Sequence, residues 1–276
     1  MQLAYSPCPN DTWIFAAWTQ GFLPAVPPVN VVLDDVEALN RAAQAARYEL
    51  TKVSYGAIPM LLPDYRILRA GGALGRGCGP LLVRRSDAAP ITLSELSREA
   101  LIAIPGQMTT AFLLLQLALG YRPRVLELRF DQILPAVAAG TVDAGLIIHE
   151  SRFTYAAAGL EAIIDLGSWW ETHSGHPIPL GAILIRRDVS DTQAQAINTT
   201  IRASLRYAQT HPDAVMPYVR DHAQEMDEAV MRAHIDLYVT PYTDDLGSSG
   251  EAAIGALFKE AATLGLIQPT QPEFVG

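Results

Sequence analysis

Two short segments of this chain repeat each other about a hundred residues apart, and that repetition limits how the chain can fold. Gly79-Pro-Leu-Leu-Val-Arg-Arg85 and Gly181-Ala-Ile-Leu-Ile-Arg-Arg187 are both apolar strands closed by paired arginines, and the residues between them read as a complete βαβ set. An inserted domain entered and left by two adjacent strands explains the pattern. Such a double crossing makes a natural hinge with a cleft between two lobes. Two unrelated strands of similar composition are the plainer explanation. With the hinge as the working expectation, residues 1–87 and 185–276 form a discontinuous first lobe and residues 88–184 an inserted second lobe.

Elsewhere β-like and helix-like runs alternate, which predicts an α/β protein with central sheets flanked by helices. Strands are expected at Gln2–Tyr5, Val29–Leu33, Leu50–Val53, Arg66–Arg69, Pro80–Arg84, Leu101–Ile104, Val125–Leu128 and Val142–Ile148. Helices are expected to start near Asn10, Val36, Tyr55, Thr109 and Phe130. After Asp191 only helices are expected. Ile197, Ile201, Leu205 and Ala208 share one helical face, and Ile254, Leu257, Phe258, Ala261 and Leu264 another, so the end of the chain reads as a helical layer packed on the rest.

Composition excludes some functions. The 276 residues are 50% hydrophobic and 18% charged, with a formal net charge of -9, and no Lys/Arg cluster offers the basic face that a nucleic acid needs. An anionic small molecule is not excluded, because its site needs only local donors. The start, Met1-Gln-Leu-Ala-Tyr-Ser-Pro7, lacks the pattern of a secretory signal, and no stretch is long and apolar enough for a bilayer. Two cysteines, Cys8 and Cys78, belong to no metal-spaced set and are expected as reduced thiols in the cytoplasm.

Chemistry concentrates where strands end. In Gly145-Leu-Ile-Ile-His-Glu-Ser-Arg-Phe153 an apolar run stops at His149, where a strand leaves its sheet. Ligand crevices of open α/β sheets lie at carboxyl ends of strands, and imidazole is suited to moving protons near neutral pH. A core histidine beside a Glu150–Arg152 surface pair fits the same residues. Strand alternation places Glu150 on the face opposite His149. At other junctions, Asn10 or Asp11 suits an N-cap after Ser6-Pro7-Cys8-Pro9, and Thr109-Thr110 after Pro105-Gly106 suits an anion site at a helix start. Capping alone also explains one threonine. Lys52, with Val53 and Ser54, ends a strand and would hold a carboxylate if it faces a cleft; a snorkelling surface lysine is the default. The loop Gly71 to Gly79 has neither nucleotide-binding spacing, and its Arg76 is a weak contact candidate. His173 and His176 fall in a glycine- and proline-bearing loop without a third ligand, so no metal is expected. His211, His222 and His234 read as ordinary half-buried helix positions.

Five motifs, taken in order, closely resemble the 1,4-dihydroxy-6-naphthoate synthase family of the futalosine route to menaquinone. They are Ser6-Pro-Cys-Pro-Asn-Asp-Thr12, Thr51-Lys-Val-Ser-Tyr55, Gly71-Gly-Ala-Leu-Gly-Arg-Gly77, Pro105-Gly-Gln-Met-Thr-Thr110 and Gly145 to Tyr155. The likeness covers nearly the whole chain. It implies the two-lobed type II periplasmic-binding-protein-like fold, with two hinge crossings, used here by a cytoplasmic enzyme without cofactor. It also implies a lyase that converts cyclic dehypoxanthinylfutalosinate to 1,4-dihydroxy-6-naphthoate and dihydroxyacetone. The family's base aligns with His149 and its substrate contacts with Lys52, Val53 and Ser54 and with Thr109 and Thr110. Ser6, Asn10, Asp11, Arg76, Glu150 and Arg152 would shape the cleft. The partner implied is a small carboxylate, with neither nucleic acid nor membrane, and a homodimer is left open. Chorismate dehydratase of the same pathway and a non-catalytic small-carboxylate-binding protein are the alternatives; fold alone does not separate them.

Overall fold

A computed structural model describes residues 1–89, 91–223 and 227–276. The first part of the chain runs β1 (Gln2–Tyr5), α1 (Pro9–Thr19), β2 (Asn30–Leu33), α2 (Val36–Gln44), β3 (Leu50–Ser54), α3 (Ile58–Leu61), β4 (Tyr65–Leu68) and β5 (Ala73–Gly75). The middle runs β6 (Leu81–Arg85), β7 (Leu101–Ile104), α4 (Thr110–Leu119), β8 (Arg124–Glu127), α5 (Phe130–Ala138), β9 (Ala144–Ile147), α6 (Ser151–Thr154), β10 (Leu160–Asp165) and α7 (Leu166–Ser174). The last part holds β11 (Ile178–Arg186), α8 (Asp191–Thr210), α9 (Pro212–His222), α10 (Glu228–Tyr238), α11 (Pro241–Asp244), α12 (Gly247–Thr263) and β12 (Phe274–Val275).

Two mixed sheets result. The first has the order β12-β4-β11-β3-β1-β2, with β5 also paired to β11; the second has the order β10-β6-β9-β7-β8. β3 is buried along its whole length, and so is β9. Strands buried along both faces need cover on each side, which the apolar β9 meets by packing and β3 meets by giving Thr51, Lys52 and Ser54 polar partners. The C-terminal helices supply part of that cover. α8 starts at a Ser190–Gln193 capping box and buries Ile197, Ile201, Leu205 and Ala208, the face read from the sequence. α12 buries Ile254, Leu257, Phe258 and Ala261, but Leu264 lies past its end and is exposed. The expectation of helices only after Asp191 needs one correction, because β12 pairs in parallel with β4.

The repeated segments prove not to be neighbours. β6 belongs to the second sheet and β11 to the first, so each lies just beyond a crossing rather than beside the other. The chain leaves the first sheet between β5 and β6 and returns between β10 and β11. The adjacent pair at the crossings is β6 with β10, antiparallel, with Leu81 opposite Asp165, and Leu166 N–H donates to the Pro80 carbonyl at 3.0 Å. Here the backbones touch: a Cβ on Gly79 would lie 2.2 Å from Gly167 Cα. Only glycine fits that approach. β10 escaped the sequence reading because Glu161 and Asp165 interrupt its apolar run, as suits a strand at a sheet edge.

Candidate active site

A cavity opens between the two sheets. Ser6, Asn10, Asp11, Lys52 and Ser54 line it from the first sheet, and Thr109, Thr110 and His149 from the second. These are the residues that sequence reading singled out at four strand ends. Val53, Leu180 and Tyr238 belong to the apolar part of the wall.

The first-sheet side is organised by a buried ion pair. Lys52 Nζ donates to Asp11 Oδ1 at 2.7 Å and to the Gly71 carbonyl at 3.2 Å, with both charged side chains under a tenth exposed. Asp11 also accepts from Ser6 Oγ at 2.8 Å and from Asn10 Nδ2 at 2.9 Å. A carboxylate with three donors offsets much of its desolvation, so this pair is a fixed part of the wall. The Lys52 charge expected to meet a guest is therefore already balanced. Ser54 is set by Asn40, whose Oδ1 accepts from Ser54 N at 2.8 Å and whose Nδ2 donates to Ser54 Oγ at 3.1 Å. A hydroxyl that accepts in this way keeps its proton for a guest.

Across the cavity, Thr109 is the N-cap of α4, its Oγ1 accepting from Phe112 N at 3.2 Å and donating to the Gly106 carbonyl at 2.8 Å. Thr110 Oγ1 donates to the Leu180 carbonyl at 2.7 Å and accepts from Gly56 N at 3.1 Å, which ties α4 to the first sheet. Both hydroxyls are committed within the protein. What α4 offers instead is its first turn, where the N–H groups of Thr110 and Ala111 have no intrahelical acceptor and the dipole end is positive. Ala111 lines the cavity as well.

His149 stands two residues past the end of β9 with φ of 56°, a left-handed conformation that few non-glycine residues hold without help. That kink turns the chain into α6. Because the strand has already ended, alternation no longer governs its neighbour, and the expectation that Glu150 faces away from His149 is overturned. Glu150 is buried, and one carboxylate oxygen, Cys8 Sγ and a ring nitrogen of His149 lie within 4.8 Å of one another. Cys8 Sγ is 3.3 Å from His149 Nδ1, Phe130 meets the ring edge-on at 5.0 Å, and His234 stacks on it at 6.2 Å between centroids.

Burial keeps the two imidazoles and the thiol of this corner uncharged. Burial lowers the His149 pKa to about 4, with Lys52 acting in the same direction and Asp11 opposing. Burial also pushes the Cys8 thiol well above its ordinary value, helped by the charge of Glu150. His234 is held well below its ordinary value by burial, next by His149. At neutral pH the group is an uncharged imidazole beside an uncharged thiol, with a second uncharged imidazole behind it.

Other expected residues lie outside the cavity wall. Arg76 is exposed, donating to the Gly175 carbonyl at 3.0 Å and reaching Glu171 at 3.4 Å. Arg152 pairs with Asp165 at 2.5 Å and donates to the Gly79 carbonyl at 2.6 Å, bracing the crossing. His173 belongs to a helix, α7, not to a loop; it stacks on Trp169 at 5.0 Å and meets Glu260 at 2.5 Å. An Asp165 N-cap and a left-handed Gly175 delimit that helix. Sequence reading missed Asn40, His234 and Cys8 as members of the site. His234 gave a signal, since it interrupts the buried stripe Met231, Ile235, Tyr238 of α10, where a polar side chain needs a partner. It is buried rather than half-buried, and its Nε2 donates to Asn10 Oδ1 at 3.0 Å.

Comparison with known proteins gives consistent findings. A family profile described as "Menaquinone biosynthesis" matches residues 1–263. A 1,4-dihydroxy-6-naphthoate synthase of Thermus thermophilus is 48% identical over 277 residues, spanning 100% of this chain and 99% of that protein. One of Streptomyces coelicolor is 43% identical over 278 residues, spanning 99% and 96%. Among solved structures, the alkanesulfonate-binding protein of Xanthomonas axonopodis pv. citri, bound to MOPS, superposes with a TM-score of 0.74 over 97% of this chain and 93% of its own, at 15% identity. At that identity the likeness shows the fold, which is the periplasmic-binding-protein-like fold expected from the sequence. No helix among the described residues is long and apolar enough to cross a membrane.

Proposed function

This chain belongs to the menaquinone biosynthesis family, and from that membership we propose that it is a 1,4-dihydroxy-6-naphthoate synthase, a carbon–carbon lyase acting on cyclic dehypoxanthinylfutalosinate with His149 as the general base. The observation that carries the base assignment is a neutral imidazole, on a residue of left-handed backbone, lining the same cavity as the N-terminus of α4 on its own side and the Ser54 hydroxyl on the first-sheet side.

The roles follow from the donors and acceptors present. The carboxylate of the substrate sits against the first turn of α4, where backbone N–H groups supply donors without an added charge. Ser54 donates to a sugar-derived oxygen, and the Lys52–Asp11 pair keeps the floor rigid. Nδ1 of His149 faces Cys8, so Nε2 is the nitrogen left for the guest. Catalysis then needs the tautomer with its proton on Nδ1, directed at the sulfur, and its lone pair on Nε2. Nε2 takes an acidic or hydroxyl proton, the carbon–carbon bond breaks in retro-aldol fashion, dihydroxyacetone departs, and aromatisation of the remaining ring supplies driving force. Proton transfer of this kind contributes roughly 10²–10⁴-fold, and closing the sheets over the substrate contributes further by excluding water. The free, buried thiols of Cys8 and Cys78 fit a reducing compartment, and we place the protein in the cytoplasm.

Asn is tolerated at positive φ, so His149→Asn tests the base without changing the turn. The variant is expected to fold, to bind the cyclic futalosine derivative, and to release no naphthoate. Product formation by that purified variant rejects the base assignment. Conversion of chorismate but not of the futalosine derivative by the unmodified protein rejects the substrate.

A further inference from the structure

We propose that Cys8, His149 and Glu150 form a binding site for a thiophilic divalent cation, Zn²⁺ foremost, and that its occupation ties the two sheets together and shuts the enzyme off. In sequence Cys8 belongs to no metal-spaced set; the fold creates the set by bringing the loop after β1 against the turn after β9. One ligand atom from each residue lies within 4.8 Å of the others, and Sγ to Nδ1 is 3.3 Å. A tetrahedral zinc holds sulfur at about 2.3 Å and nitrogen or oxygen at about 2.0–2.2 Å, which places its ligand atoms about 3–4 Å apart. Small side-chain shifts therefore close the site.

His234 supplies an independent observation. Its Nε2 proton goes to Asn10 Oδ1, so its Nδ1 carries a lone pair; that atom is fully buried, has no hydrogen-bond partner among the described residues, and lies 4.0 Å from Glu150 Oε2. A neutral imidazole whose far nitrogen is fixed by an amide is the form that ligates metals, and a buried lone pair without a donor is otherwise unfavourable. His234 is thus the candidate fourth ligand, with Asn10 orienting it. A donor set of thiol sulfur, imidazole nitrogen and one carboxylate selects zinc or cadmium over magnesium or calcium.

Two consequences follow. Cys8 belongs to the first-sheet side and His149 with Glu150 to the second, so the ion bridges the faces that must part to admit a substrate. On binding, the Cys8 S–H bond breaks, sulfur joins the metal, and the proton leaves to solvent. Coordination through Nδ1 also leaves the single proton of the neutral imidazole on Nε2, which removes the lone pair that the base requires. The loss of turnover rests on the reading of His149 as base; the binding does not.

The experiment adds Co²⁺ to metal-free protein kept reduced by a phosphine. A stoichiometric thiolate-to-cobalt charge-transfer band with tetrahedral visible bands is expected, bleached by Zn²⁺ and accompanied by proton release. Cys8→Ser should abolish the charge-transfer band, His234→Ala should weaken binding about 10–100-fold, and Cys78→Ser should leave both unchanged. Turnover should fall along the same Zn²⁺ titration and return with a chelator. Absence of the band, or its survival in Cys8→Ser, overturns the site; full occupancy with undiminished turnover overturns the shut-off. Because the band reads coordination and not catalysis, a wrong substrate assignment leaves the binding result legible.

Discussion

The sulfur of Cys8 touches Nδ1 of the His149 imidazole although 141 positions separate the two residues. The proposed base role needs Nδ1–H pointing at this sulfur with Nε2 open, and under that proposal Cys8 is a positioning residue. Cys8→Ala is expected to lower kcat about tenfold with little change in KM, as a fraction of the general-base contribution. Cys8→Ser, whose hydroxyl also accepts, should recover most of the loss. Steady-state kinetics on both variants check this, and an equal drop in the two excludes the tautomer role.

Lys52 and Asp11 are stable only together. Lys52→Met leaves a buried carboxylate with only neutral donors, and unfolding in urea should show a loss of about 3–5 kcal/mol. Replacing both, as Lys52→Met with Asp11→Asn, is expected to restore a substantial part of it. A single variant as stable as the parent protein would mean that water reaches the pair.

The lowered pKa of His149 makes stability depend on pH in one direction. Between pH 6.5 and about 4 the unfolded chain binds the proton that the folded site refuses, so stability is full above the ordinary histidine value and falls as pH drops through this window. The fall is roughly 3 kcal/mol at most for this group, and His234 adds in the same sense. Denaturation at pH 5 and pH 7 should show a smaller difference for His149→Asn. The acid limb of kcat/KM should likewise lie below 6.5, because that parameter reports the free enzyme.

At the crossing, Gly79→Ala should destabilise the protein by about 1–3 kcal/mol, since its Cβ would run into the backbone of Gly167 and neither strand yields without breaking the β6–β10 pairing. Thermal unfolding measures it. Gly77→Ala, in the same loop but with open space at its Cβ, is the comparison; there only the positive φ opposes the change.

Much of this arrangement was legible in the sequence, and what was missed has physical causes. Strand ends announce themselves where an apolar run stops, which is why Lys52, Ser54, Thr109, Thr110 and His149 were found, and all of them line one cavity. Roles set by partners were not legible. Nothing local to Thr110 says that its hydroxyl reaches Leu180, and nothing local to Lys52 says that Asp11 balances it. Asn40 and His234 lie on helices whose apolar stripes describe packing, so their polar contacts depend on which strand the helix meets. The repeated strands were recognised but paired wrongly, because similar composition carries no information about register, and the true neighbour β10 is an edge strand with charged residues.

The side-by-side course of β6 and β10 makes the second sheet one continuous excursion of the chain whose two ends lie together. Leu81 and Asp165 face each other where the strands begin and finish, so the chain enters and leaves the second sheet at neighbouring points. Recombination between relatives at these two points would exchange His149 and the N-terminus of α4 as one unit, while the Lys52–Asp11 pair stays with the host. The seam that such an exchange has to match is the shared core, where Phe112 and Leu114 belong to one cluster with Leu184 and Leu257.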